Sequence, residues 1–187
     1  MAIASRPMTL AEFLKRHGDS AVLEYANGVV TGKMPPSIPH GGLASLVVGA
    51  INGFAHPRKL GFAFVEVRVT VPGAEVSRVP DISVYVWHRI ERDRLAREQG
   101  ASIPPDIAIE IASPGQSRQK QIERCREFIE QGARIALMFN LRTRSVIDVR
   151  AGGIERRLRG DDVLDFDEVI PGLRLVVGEL YAMLDFK

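Results

Sequence analysis

The segment PPDIAIEIASPG, residues 104–115, constrains this chain more than any other stretch. A short apolar run closed by prolines and a glycine predicts a buried strand, here at roughly 105–111. Side chains alternate faces along a strand, so Ile107, Ile109 and Ile111 share one side and Asp106, Ala108, Glu110 and Ala112 the other. The isoleucines need a core. Glu110 then projects from the opposite face among small alanines, where a carboxylate is costly to desolvate unless something positive meets it.

The segment VPDISVYVW repeats the arrangement. It predicts a strand at roughly 80–87, with Ile82, Val84 and Val86 facing one way and Asp81, Ser83, Tyr85 and Trp87 the other. Asp81 stands at its entrance, directly after Pro80. If the two strands are neighbours, two acidic side chains meet on one face of a sheet. Each carboxylate could simply pair with an arginine at a sheet edge, the ordinary fate of an isolated acidic residue in a strand. Alternatively, the two share a hard cation such as Mg²⁺ or Mn²⁺, held by oxygen ligands. Such an ion lowers the pKa of a bound water and neutralises charge on a phosphoryl oxygen. The spacing is compatible with both.

The remaining pattern is that of one mixed α/β domain, a central sheet with a dominant helix on each side. MTLAEFLKRH (8–17) predicts a short helix capped by Thr9, with Glu12 at the capping-box position. Asn27-Gly28 between two apolar runs predicts a hairpin. Residues 41–55, uncharged and rich in small and apolar side chains, predict a well-buried helix starting near His40. A further strand is expected at 62–71, and HRIERDRLAREQG (88–100) is a charged excursion, either surface helix or loop. Residues 117–131 are the clearest amphipathic helix, with Ile122, Cys125 and Ile129 on one face and Gly132 just past its end. RIALMFN and RSVIDVR predict two more strands, GGIERRL is a candidate extension of that sheet, and Pro171-Gly172 marks a turn before a last strand and short helix. The domain, residues 1–187, divides into an N-terminal helix and hairpin (1–38), a core (39–150) and a C-terminal extension (151–187).

No apolar run approaches the ~18 residues of a membrane helix and residues 1–15 lack a signal-peptide pattern, so a cytoplasmic protein without a membrane partner is expected. The single Cys125 excludes an internal disulfide and a cysteine-built zinc site. His17, His56 and His88 lack metal-ligand spacing, and no serine-hydrolase elbow or phosphate-cradling glycine loop is present. A net charge of +2 argues only weakly for nucleic acid. Arginine does gather between Arg118 and Arg159, and its planar fork suits phosphate, but a solvated face of dispersed charge is the commoner meaning of such a feature.

VPDISVYV, then PPDIAIEIASPG, then a helix ending FIEQGARIALMFN together resemble the Uma-two family of nucleases, in the restriction-endonuclease-like, PD-(D/E)xK superfamily. LEYANGVVTGKMPPSIPH resembles that family's opening hairpin and helix entrance, and VIPGLRLVVGELY its closing segment, so the resemblance spans nearly the whole chain. It implies a restriction-endonuclease-like fold, a central mixed β-sheet flanked by helices. It implies Asp81 and Glu110 as ligands of Mg²⁺ or Mn²⁺, with the Ile111 backbone carbonyl as a third, and Glu24 and His40 as polar neighbours of the site. DNA is the implied substrate and a homodimer the usual assembly of the fold.

The chain departs from the superfamily and family pattern around the lysine. The usual lysine two residues after the glutamate is Ala112 here. In this family the lysine tends to come from the following helix, one turn before a tyrosine, and those positions are Arg124 and Phe128. An aspartate common one turn earlier is replaced by Lys120. At about 100° per residue, helical phase favours Arg124 or Gln121 over Lys120 as the group that reaches the site. Arginine grips phosphate but stays protonated and is a poor base. The leading expectation is a metal-dependent DNA endonuclease in which Asp81 and Glu110 hold the ion and Arg124, aided by Lys120 or Gln121, steadies charge. A nucleic-acid-binding relative that has lost its chemistry comes second, and a structural or interaction module third.

Overall fold

A computed structural model describes residues 7–185 except 96, 98 and 99. Helix α1 (Leu10–His17) starts at a reciprocal capping box: Glu12 donates its N–H to the Thr9 hydroxyl, and the Glu12 carboxylate accepts from the Thr9 N–H at 2.9 Å. Strands β1 (Leu23–Ala26) and β2 (Val29–Gly32) form the expected hairpin. Its turn residues Asn27 and Gly28 both have positive φ, 47° and 87°, which matches the right-handed twist of paired strands. Helix α2 (Ile38–Ala55), capped by Ser37, begins two residues before the expected start near His40.

The predicted strand 62–71 is in fact shorter. Strand β3 covers Gly61–Val65 and ends where Glu66 turns into the left-handed region at φ 51°. Val69 instead bridges singly to Arg78 and Ala101. Strand β4 (Val76–Ser77) pairs with β1, so the hairpin is tied into a three-stranded sheet, β2-β1-β4, rather than standing apart. Strand β5 (Ile82–Val86) leads into the charged excursion, which holds one helical turn, α3 (Arg92–Leu95). Then come β6 (Ile107–Ile111), α4 (Arg118–Glu130), β7 (Ile135–Asn140), β8 (Ser145–Arg150) and β9 (Ile154–Arg159). Strands β10 (Val163–Asp165) and β11 (Arg174–Val176) pair with each other ahead of α5 (Val177–Ala182).

The main sheet has six strands in the order β3-β5-β6-β7-β8-β9. Only β6 and β7 run parallel, and α4 makes the crossover that a parallel pair requires. The isoleucines of β6 face α2: Ile107, Ile109, Leu137 and Phe139 pack with Leu43, Val47 and Ile51. On the other face Ala108, Ala136 and Met138 meet Ile122, Cys125 and Phe128 of α4. Cys125 is therefore a core thiol, and burial pushes its pKa up to about 12. Helix α2 buries one face only, through Leu43, Val47, Ile51 and Ala55. By length and composition it is apolar enough to cross a membrane, so one segment does meet the criterion that none was expected to approach.

Gly61 marks a close approach. A Cβ there would lie 2.4 Å from the backbone carbonyl oxygen of Tyr85 on β5. Gly61→Ala should accordingly force β3 away from β5 and cost about 1–3 kcal/mol. Urea unfolding of the two proteins checks this, and an unchanged midpoint would contradict it.

Candidate active site

The antiparallel register of β5 and β6 places Ile82 opposite Ile109. One further step sets Asp81 opposite Glu110 on the same face, the separation of cross-strand neighbours. The two acidic residues read from separate strands thus converge, at 5% and 7% exposure, on the wall of an open cleft of about 1190 Å³. The next step sets Ile111 opposite Pro80. The Ile111 N–H turns instead to Asp81, donating to Oδ2 at 2.7 Å. Proline has no N–H to return, so the Ile111 carbonyl lacks a ladder donor from β5.

Asp106 has a different fate from Glu110, although alternation puts both on the side away from the isoleucines. It lies just before β6, where Oδ2 accepts the Val86 N–H at 2.9 Å and Oδ1 meets the Arg89 guanidinium at 2.9 Å. The simple arginine pairing thus explains Asp106.

Glu110 also meets an arginine. Its Oε1 accepts from Arg124 Nε at 2.9 Å and from Nη2 at 2.7 Å. Arg124 Nη2 continues to Glu24 Oε1 at 2.6 Å, and its guanidinium lies 4.9 Å over the Phe128 ring. Glu24, on β1, also accepts the Val79 N–H at 2.9 Å and faces Arg78 at 3.3 Å. Arg78 forks onto the two oxygens of Glu127 on α4 at 2.6 and 2.7 Å. These pairs fasten the small hairpin sheet to α4 across the cleft. Lys33, one residue past β2, donates to the Val79 carbonyl and to Asp81 Oδ1, both at 2.7 Å. His40 Nε2, on the first turn of α2, lies 3.5 Å from Asp81 Oδ2.

Around this cluster four carboxylates (Glu24, Asp81, Glu110, Glu127) face three fixed cations (Lys33, Arg78, Arg124). Burial would raise the pKa of Asp81, but His40, Lys33 and the Ile111 N–H outweigh it and hold this carboxyl well below its usual range. Burial also dominates at Glu110; Arg124 offsets it in part, Asp81 opposes that relief, and the result is a pKa pushed up to about 7. For Glu24, burial is outweighed by Arg124, the Val79 N–H and Arg78, which lower its pKa. Counting only these fixed cations, the cluster is one positive charge short, and Glu110, where burial dominates, is the carboxyl whose pKa rises. Its Oε2 accepts no hydrogen bond among the described residues.

The oxygens with room for a further partner are Glu110 Oε2, the Asp81 carboxylate, which already accepts from Lys33 and Ile111, and the Ile111 carbonyl. All are hard oxygens, the chemistry Mg²⁺ and Mn²⁺ prefer, and an added cation would relieve the charge deficit. They fit such an ion. Among the described residues no three His, Cys, Asp or Glu side chains form a ready-made ligand set.

Of the residues singled out in the sequence, Asp81, Glu110, Ile111, Glu24, His40 and Arg124 come together. Lys120 lines the cleft with an exposed side chain. Gln121 is buried and donates to the Gln116 carbonyl at 3.0 Å, so it secures the turn before α4. Lys33, Arg78 and Glu127 were not anticipated. Much of the arginine gathered late in the chain is engaged in ion pairs, Arg126 with Glu155, Arg144 with Asp185, and Arg150 and Arg156 with the buried Asp148. For these, dispersed and paired charge is the outcome rather than a phosphate-binding stripe.

A family model named Uma2 and described as "Putative restriction endonuclease" matches residues 10–178. Among solved structures the chain is similar to a crystal structure titled as "a putative nuclease belonging to DUF820" from Anabaena variabilis. The two are 30% identical, with a TM-score of 0.81 over 95% of this chain and 99% of that one. No curated protein matches the chain.

Proposed function

This chain belongs to the Uma2 family and has a restriction-endonuclease-like fold, and on that premise we propose that it is a Mg²⁺- or Mn²⁺-dependent endonuclease that hydrolyses phosphodiester bonds in DNA. The observation that carries the reading is the juxtaposition of Asp81, just ahead of β5, with Glu110 on β6, beside the Ile111 carbonyl, to which Pro80 can offer no N–H. Asp81, Glu110 and the Ile111 carbonyl would hold the ion. A bound divalent cation supplies Lewis acidity and counter-charge for a phosphoryl oxygen.

The chain's own groups prepare the site. The Ile111 N–H orients Asp81, and His40 borders the same oxygen. Arg124 holds Glu110 through Oε1 and ties it to Glu24, and Glu110 lines the cleft. The test is cleavage of plasmid and single-stranded DNA with Mg²⁺ or Mn²⁺ against EDTA, with Glu110→Ala purified identically. Cutting that needs the metal and vanishes in the variant supports the reading; equal cutting by the variant contradicts it.

Glu110 keeps its proton up to about pH 7, so an incoming cation has to displace it. Mn²⁺ affinity should therefore rise as pH goes from about 6 to about 8, with proton release on binding. Titration calorimetry in two buffers of different protonation heat measures both. A pH-independent affinity without proton release would contradict the assignment of Glu110.

A second reading is favoured by Arg124 on Glu110 and Lys33 on Asp81, which place the protein's own cations on both carboxylates. A relative that binds nucleic acid without cutting it would retain DNA in EDTA, with a steep salt dependence.

A further inference from the structure

Hydrolysis of a phosphodiester adds negative charge to the non-bridging oxygens as the water oxygen bonds to phosphorus. A cation with a free donor at the carboxylate pair is needed there, and the arginines of the cluster are turned to its glutamates. Arg78 gives its fork to Glu127, and Arg124 gives Nε and Nη2 to Glu110 and Glu24 while its Nη1 faces Glu127 at 3.9 Å. Ala112, two residues past Glu110, carries no donor in its side chain. Two lysines line the cleft, Lys33 and Lys120, and only Lys33 has its ammonium on one of the two opposed carboxylates.

Lys33 is placed firmly. Its N–H donates to the Val22 carbonyl at 2.7 Å as the hairpin ends, and the side chain then crosses to β5. An ammonium has three donors. Two are taken, by the Val79 carbonyl and Asp81 Oδ1, and the side chain keeps 21% exposure toward the cleft. Among the described residues one N–H is left over.

Resting on the nuclease reading above, we propose that Lys33 is a catalytic residue of this site, delivered by the N-terminal hairpin, whose remaining N–H holds a non-bridging oxygen of the scissile phosphate. In the reaction the water oxygen bonds to phosphorus and releases its proton to solvent. The bond from phosphorus to the leaving oxygen breaks, and that oxygen takes a proton from solvent, so one water is consumed. Lys33 transfers no proton. It stays an ammonium throughout, and its bond strengthens as charge builds on the phosphate oxygen, which is where a fixed donor is most effective.

The experiment compares wild type, Lys33→Gln and Lys33→Arg on a DNA duplex, measuring kcat, KM, Mn²⁺ affinity by titration and stability in urea. Lys33→Gln should lose roughly 10²–10³-fold in kcat, the usual cost of removing one such donor, with KM little changed. Its Mn²⁺ affinity should equal or exceed that of wild type, since a competing cation beside Asp81 is gone, and Lys33→Arg should recover part of the rate. Lys33→Gln cutting within about fivefold of wild type, well inside the donor's expected cost, would overturn the inference and leave the nuclease reading standing. So would a rate loss that merely follows lost Mn²⁺ binding or unfolding, which would make Lys33 structural. A wild-type protein that cuts nothing with either metal would overturn the nuclease reading, and this inference with it.

Discussion

Asp81→Asn should lower metal-dependent DNA cleavage by more than a hundredfold. Partners one step removed from a metal already cost about 10–100-fold when replaced, and a direct ligand should cost more. Asparagine keeps the size of the side chain and one carbonyl oxygen, so it can still accept the Ile111 N–H that Asp81 receives at 2.7 Å. What it loses is the charge that meets Lys33 and faces Glu110. The variant should therefore stay folded, with a stability change within about 1–3 kcal/mol, the usual range for disturbing one buried polar contact. Initial cleavage rates and urea unfolding on the same preparations separate the two effects. Cleavage within a few-fold of wild type would remove Asp81 from the site.

The second large effect concerns stability. Arg124→Met leaves a side chain of similar reach but removes the cation shared by Glu110 and Glu24. The arginine side chain is 15% exposed and the two glutamates 9% and 8%, so the stranded carboxylates have little water to turn to. Breaking a buried pair from one side costs about 3–5 kcal/mol, and the loss should fall in that range. Adding Glu110→Gln and Glu24→Gln to Arg124→Met should restore much of it, because neutral amides are cheaper to bury than unpaired charges. A loss below about 1 kcal/mol, the scale of an exposed pair, would mean that the site is wetter and looser than its geometry implies.

The contrast between Asp106 and Glu110 marks how far local pattern reaches. Alternation along PPDIAIEIASPG places both on one side of the strand, and nothing in the twelve residues distinguishes them. In the fold, Asp106 accepts the Val86 N–H and pairs in charge with Arg89, while Glu110 shares Arg124 with Glu24 and its Oε2 accepts no hydrogen bond among the described residues. The expected strand at 62–71 failed for a related reason. Its alternation is sound to Val65, but Glu66 leaves the β region, and Val69 finds its partners in Arg78 and Ala101.

Local rules were sufficient for the elements themselves. The capping box at Thr9, the Asn27-Gly28 turn, the period-two isoleucines and the amphipathic helix ended by Gly132 are set by neighbours within a few residues, and the structure has them all. The same alternation put Asp81 and Glu110 on the face away from the isoleucine core. Sequence alone therefore determined which strands carry the carboxylates and which way they point. Tertiary structure decided what they meet. Arg124 reaches Glu24 across 100 positions, Lys33 reaches Asp81 across 48, and Arg78 reaches Glu127 across 49. Ion pairs of that span leave no periodic trace, because they depend on how the sheet, the hairpin and α4 close around one cleft, and that closure is driven by burying the apolar faces rather than by the charges it brings together.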